Sequence, residues 1–252
     1  MVEVKNLSFG YDEDKPILDG VSFRLKKGGV TTLIGANGCG KSTLLKLMSK
    51  NLSLKTGNIS LNERDICDYS LRKFAKEVAI VHQKNSAPDD LTVSKLVSYG
   101  RIPHANLLQS EIQHEKVQWA MKVTGMANLA QRKMGTLSGG QRQRAFIAMA
   151  LAQDTKILFL DEPTTYLDVR YQVEILRFIR KINQDFGITI VMVLHDINQA
   201  LAYSDEVIGI KNGKICVQGE PNCVITEAII EEIYDIKLEV FERNGTLCVM
   251  TI

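Results

Sequence analysis

Hydrophobic positions open the chain in strand fashion. Val2 and Val4 alternate with charged neighbours, and Leu7-Ser8-Phe9-Gly10-Tyr11 continues the period. Val21-Ser22-Phe23-Arg24-Leu25 repeats the pattern, and Lys27-Gly28-Gly29 turns it into the apolar run 30–34. A helix-forming stretch, 44–48, comes after a glycine loop, and 58–61 and 78–81 predict further short strands. From about 84 to 135 the period changes to that of helices, at 93–99 and 111–124, with Pro88-Asp89-Asp90 as the loop before them. Helix 142–152 then leads back to alternation: strand 157–160, amphipathic helix 170–182, strand 188–194, helix 196–203 and strand 206–210. Lys211-Asn212-Gly213-Lys214 is an Asn-Gly hairpin turn, and 238–241 with 246–249 predict a terminal hairpin without evident chemistry. Parallel strands with crossover helices gather ligands at the strands' carboxyl ends.

Composition narrows the class without naming a function. The 252 residues are 45% apolar and 24% charged, ordinary for a globular protein with a sizeable core. A net charge of +2 gives no footprint for nucleic acid. Met1 runs straight into Val2-Glu3-Val4, so no signal peptide is expected, and no apolar run reaches the ~20 residues of a membrane helix. These features predict a cytoplasmic chain, able to dock on a membrane partner. The five cysteines show no metal spacing and predict free thiols. Cys39 stands apart, because it lies inside the glycine loop, where alkylation would obstruct by bulk whatever the loop receives.

That loop, Gly35-Ala36-Asn37-Gly38-Cys39-Gly40-Lys41-Ser42-Thr43, fits G-x-x-x-x-G-K-[ST]. A strand feeding a glycine loop that opens a helix aims backbone N–H groups at one spot. Lys41 suits the β- and γ-phosphates and the Ser42 hydroxyl suits Mg²⁺. Strand 157–160 ends in Asp161-Glu162. Strand ends often carry acids as solvated caps. Downstream of a phosphate loop, though, Asp161 suits Mg²⁺ and Glu162 the attacking water. Leu137-Ser138-Gly139-Gly140-Gln141 precedes an Ala-rich helix and makes a second anion-binding N-terminus. It has no lysine and no acid pair of its own, as though it completes a phosphate site held by a second copy.

Phosphate loop, Leu-Ser-Gly-Gly-Gln and Asp-Glu strand in that order resemble the ATP-binding cassette (ABC) ATPases over essentially the whole chain. The resemblance implies an α/β fold: a P-loop NTPase core of ABC type, with an N-terminal antiparallel β subdomain and an inserted α-helical subdomain. The 252 residues would form a single ABC ATPase domain, with 1–83 and 136–252 as core and about 84–135 as the helical insert. It implies ATP and Mg²⁺ as cofactors. Tyr11 resembles the aromatic that stacks on adenine, as against a strand aromatic of the core. Gln83 resembles the glutamine that reaches Mg²⁺ and the attacking water, on a loop that meets the membrane partner. Asp168 resembles the aspartate that crosses the dimer seam, and His195 the histidine that contacts the γ-phosphate. His82, His104 and His114 lack such placement and read as surface or structural residues.

Glu162-Pro163-Thr164-Thr165-Tyr166-Leu167-Asp168 departs from the commoner Ser-Ala-Leu-Asp form. With 193–200 and Gly100-Arg101-Ile102-Pro103-His104, it is similar to the ATPases of bacterial iron–siderophore, haem and cobalamin importers. The implied protein is a homodimer whose subunits sandwich two ATP molecules. Ser138, Gly139, Gly140 and Gln141 of one copy would close on the nucleotide held by Lys41 of the other. It would work on permease subunits, and indirectly with a substrate-binding protein, at the inner face of the cell membrane. Two other readings fit the same motifs: a soluble cassette ATPase of an assembly machine, as in iron–sulfur cluster assembly, and an importer ATPase for another cargo.

Overall fold

The computed structural model describes the chain except residues 13–14, 106–109, 244 and 251–252, and the side chains of 110–113. The expected helix 111–124 therefore lies partly outside the described side chains. The first stretch runs β1 (Val2–Phe9), β2 (Leu18–Arg24), β3 (Val30–Ile34), α1 (Lys41–Met48), β4 (Thr56–Leu61) and β5 (Arg64–Asp65). Next come α2 (Leu71–Phe74), β6 (Val78–Val81), α3 (Val93–Tyr99), α4 (Ser110–Val123), α5 (Gly139–Ala152), β7 (Ile157–Asp161) and α6 (Val169–Phe186). The last stretch holds β8 (Thr189–Val193), α7 (Ile197–Tyr203), β9 (Glu206–Lys211), β10 (Lys214–Gly219), α8 (Pro221–Val224), α9 (Glu227–Tyr234), β11 (Val240–Arg243) and β12 (Thr246–Val249). The chain divides into two compact units, 1–69 with 189–252, and 70–188.

In the first unit an antiparallel sheet has the order β2-β1-β4-β5. Its buried residues on β1 are Val2, Val4, Leu7 and Phe9, and that spacing slips once. The register with β2 and β4 shifts at the same place, where Asn6 takes a left-handed φ of 47°. A bulge explains the slip: one extra residue re-phases the strand so that both halves bury the same face. A second sheet runs β10-β9-β3-β8. β3 lies parallel to both β8 and β9, and every residue of β3 and β8 is buried. Strands buried on both faces are predominantly apolar, and Thr31, Thr32 and Thr189 are the buried polar exceptions here. Each fully buried Leu or Ile there contributes about 1.5–3 kcal/mol. β9 turns into antiparallel β10 through Asn212 and Gly213, whose φ values of 48° and 76° are those of a type I′ hairpin.

In the second unit β6 pairs with β7 in parallel. Helices α3, α4 and α5 pack together through Val93, Leu96 and Val97, Val117 and Ala120, and the small residues of α5. Close approach is needed at Gly100, where a Cβ would fall 2.0 Å from the Met149 carbonyl oxygen. Alanines on α5 serve the same purpose, which is why that helix shows little amphipathic contrast. Helix α6 begins at an Asp168 cap and stops at Gly187 in the left-handed region, φ 64°. It extends beyond the expected 170–182, and α5 starts at Gly139 rather than 142. Both differences arise at ends set by capping rather than by hydrophobic period.

Candidate functional site

β3 delivers the glycine loop of the first unit. Gly35, Gly38 and Gly40 take φ values of 147°, 80° and 111°, open mainly to glycine. At Gly35 a Cβ would meet the Ile210 carbonyl oxygen at 2.2 Å, so a side chain there would push the loop away from β9. Lys41 opens α1 and is only 5% exposed. Its Nζ donates to the carbonyl oxygens of Gly35 at 2.8 Å and Ala36 at 2.9 Å. The buried Cys39 sulfur lies 3.7 Å from the same ammonium. Asn37 and Gly38 are exposed at the loop's tip, and Ser42 and Thr43 are half-buried in the first turn of α1.

Helix α1 starts at Gly40 with no side-chain cap. The contrast with α5, α6 and α7 is informative, since Ser138, Asp168 and Asp196 cap those. An N-terminus left to its backbone N–H groups and positive dipole end fits an anionic ligand.

His195 leaves the same sheet edge as the loop. Leu33 of β3 lies opposite Val193 of β8, so Gly35 and His195 follow neighbouring parallel strand ends. Such an edge is where open α/β sheets place ligands. His195 is exposed, and Asp196 beside it accepts from the backbone of Asn198 at 2.8 Å and Gln199 at 3.2 Å. Tyr11 lies beyond the end of β1 and is 54% exposed, with its ring edge-on to Phe9 at 5.2 Å. It is therefore a surface ring rather than a core aromatic.

One neighbour of this loop had no signal in the sequence. The Tyr234 phenol, at the end of α9, hydrogen-bonds the Gly35 backbone; burial, with Cys39 and Asp196 nearby, pushes it up to about 12. The Ile229, Ile230 and Ile233 spacing foretells an amphipathic α9, and Gly209 lets Ile233 press onto β9. Which loop its last tyrosine reaches is a tertiary fact.

The second unit holds the other candidates. Val81 lies opposite Leu160 in the β6–β7 pair, so Gln83 and Glu162 emerge side by side. The Gln83 amide donates to Glu162 Oε2, and the Thr165 hydroxyl donates to the same oxygen at 3.0 Å. Glu162 has a left-handed φ of 51°, a conformation a non-glycine residue holds only when its surroundings fix it. Asp161, the last residue of β7, is buried. Ser138 and Gln141 form a reciprocal capping box at α5, with bonds of 3.3 and 3.1 Å. Gly139 follows Ser138, and a Cβ on Gly140 would meet the Tyr171 ring at 2.9 Å. Gly140 thus has a packing reason as well as a motif. Asp168 is exposed and accepts from Tyr171 N at 3.1 Å.

The donors fit Mg²⁺ by their chemistry. The first unit offers the Ser42 hydroxyl, and the second unit offers the Asp161 carboxylate and the Gln83 amide oxygen, each a hard ligand type. Among the described residues no group of three or more His, Cys, Asp or Glu could hold a metal by itself.

The family model for the ABC transporter matches residues 18–165. The chain is 43% identical to the iron(3+)-hydroxamate import ATP-binding protein of Bacillus subtilis (strain 168), over 95% of this chain and 89% of that one. It is 39% identical to the ferric enterobactin transport ATP-binding protein of Escherichia coli (strain K12), over 94% and 88%. Among solved structures, a dimeric bacterial ABC transporter cassette superposes with a TM-score of 0.76 at 26% identity, covering 88% of this chain and 99% of that one.

Proposed function

Because the chain belongs to the ABC transporter ATPase family, we propose that it is the ATP-hydrolysing subunit of an importer for an iron chelate. The observation that carries the cargo is the 43% identity, over 95% of the chain, to a protein named for iron(3+)-hydroxamate import. A siderophore is the first cargo, with haem or cobalamin as relatives in chemistry. No helix among the described residues is long and apolar enough to cross a membrane. The translocation path then belongs to separate permease subunits, with this chain peripheral on the cytoplasmic face and a substrate-binding protein upstream.

In this reading Lys41 and the loop amides of 35–43 hold the phosphates of ATP, and Tyr11 stacks on adenine. Ser42, Asp161 and Gln83 hold Mg²⁺, which when bound neutralises phosphate charge. Glu162 takes a proton from the attacking water, its carboxylate held in place by Gln83 and Thr165. Asp168 and the Ser138–Gln141 turn of a second copy close over the nucleotide, and His195 contacts the γ-phosphate. ADP lacks that phosphate and cannot bridge both copies, so ATP binding closes the dimer and hydrolysis opens it.

The test is uptake of radioactive iron as a hydroxamate chelate in cells lacking the gene. The wild-type gene should restore uptake, and Glu162→Gln should not, while the purified variant binds ATP, dimerises and hydrolyses very slowly. Normal iron uptake in the deleted strain, with loss of some other solute's transport, would overturn the cargo. A Glu162→Gln protein that stays monomeric in saturating ATP and Mg²⁺ would overturn the shared site.

A further inference from the structure

Within the second unit, α4 and α6 enclose a cavity of about 420 Å³ that none of the nucleotide motifs lines. On α4 the lining includes 119 and 122; on α6 it includes 178, 181, 182, 185 and 186. Steps of three and four put each set on one face of its helix. Helix α6 buries Ile175, Leu176, Ile179 and Ile182, and the face beside that stripe is aromatic but open. Trp119 and Phe186 meet edge to face, with ring centres 5.1 Å apart and planes 77° apart, and Phe178 is a third aromatic wall. Phe186 nonetheless remains 41% exposed. Two cations flank these rings: Lys116 lies 5.7 Å from the Trp119 centre and Arg144 5.7 Å from that of Phe178. Each is already paired, with Asp154 at 2.8 Å and Glu174 at 3.2 Å. Lys122 and Lys181 differ. They line the cavity, are exposed, and among the described residues neither has a carboxylate in ion-pair contact.

We propose that this cavity binds a small aromatic monoanion, a flat ring system that carries one acidic group. Its volume and its aromatic lining with few charged groups are those of a small-molecule site. Two rings tilted against each other form a corner. A third ring placed there stacks on one and meets the edge of the other, the two arrangements that aromatic pairs prefer. Aromatic walls alone would take a neutral ring equally well, so the charge preference comes from the rim. Lys122 and Lys181 against Asp185 leave the rim one net positive charge, which suits a single negative charge on the ligand. The lysines' flexible stems let both ammonium groups follow that charge while staying in water. The site is separate from ATP chemistry and from the choice of cargo, so it stands or falls independently of both.

The test is calorimetric titration of the full-length protein, saturated with ADP so that the nucleotide site is filled. The probe is 2-naphthoate, and 2-naphthol is the neutral control of similar shape. Trp119 is the chain's single tryptophan, so the protein has one indole N–H resonance, and its movement places the bound probe in this cavity. Saturable binding of 2-naphthoate that shifts this resonance is expected, with 2-naphthol weaker by about five-fold or more at low salt. Lys122→Gln with Lys181→Gln, both exposed changes, should weaken 2-naphthoate by about five-fold and leave 2-naphthol unchanged. Phe186→Ala should weaken both probes, and all these variants should hydrolyse ATP at the wild-type rate. Absence of saturable binding, or binding that leaves the indole resonance in place, overturns the site. Equal affinity for the two probes, or for 2-naphthoate in wild type and the lysine variant, overturns the choice of an anion.

Discussion

Tyr234 carries a consequence that can be read with pH. Its phenol is pushed up from near 10 to about 12, first by burial, so the folded state favours the neutral form. A group raised in the folded state stabilises fully below its unfolded value. That contribution is lost as pH rises from about 10 through about 12. Tyr234→Phe should therefore unfold with a flatter pH dependence in that interval than wild type, by an amount on the order of 2 kcal/mol. At neutral pH the variant should be less stable by about 1 kcal/mol, because Gly35 loses its partner. Urea denaturation at several pH values measures both, and parallel curves for the two proteins would remove Tyr234 from the phosphate loop. The residue-level site was partly legible beforehand. The loop, the acid pair and the Ser-Gly-Gly-Gln turn are local strings with local chemistry. The Gln83–Glu162 hydrogen bond and the left-handed φ of Glu162 arise from parallel β6–β7 pairing, which no string encodes.

At the scale of elements, caps decide more than hydrophobic period. Ser138 satisfies its own helix through the capping box, and in the proposed dimer it also meets a second copy's nucleotide. These two duties separate experimentally. Ser138→Ala should lower the unfolding free energy by about 1 kcal/mol, the usual worth of such a cap. It should also slow ATP hydrolysis at protein concentrations where the dimer forms. Unchanged hydrolysis with the expected stability loss would confine Ser138 to its capping role. The C-terminal hairpin offers a second case. Asn198 of α7 clasps Val249 of β12 in both directions, donating to its carbonyl at 3.0 Å and accepting from its N–H at 2.8 Å. Asn198→Ala leaves both backbone groups without that partner. Hydrogen exchange at the Val249 amide should then quicken by roughly ten-fold or more, while β3 and β8 amides stay protected. Exchange that does not change would show that α8 and α7 packing alone holds the hairpin. The hairpin itself was legible from its apolar pairs, and β11 lies at 240–243 rather than 238–241. Short α2 and α8 were not legible, because four residues give no helical period to read.

For the whole molecule, the proposal that each nucleotide is shared between two copies predicts complementation between inactive proteins. Lys41→Ala removes the phosphate grip but keeps an intact Ser-Gly-Gly-Gln turn. Ser138→Arg blocks that turn with bulk and charge but keeps an intact grip. Each homodimer contains two defective sites. A mixed dimer places the intact grip of one chain against the intact turn of the other, and gathers both defects in the second site. Random mixing at equal amounts makes about half of the dimers mixed, each with one sound site, so about a quarter of the wild-type sites return. ATP hydrolysis by the mixture should exceed the sum of the two variants measured alone and should peak near equal proportions. Activity equal to that sum at every ratio would mean that each chain carries a complete site. The Leu-Ser-Gly-Gly-Gln turn would then be a helix start with a packing glycine, and the dimer would have no part in hydrolysis. Near-neutral net charge lets identical copies approach with little mutual repulsion, so this mixing should depend weakly on salt.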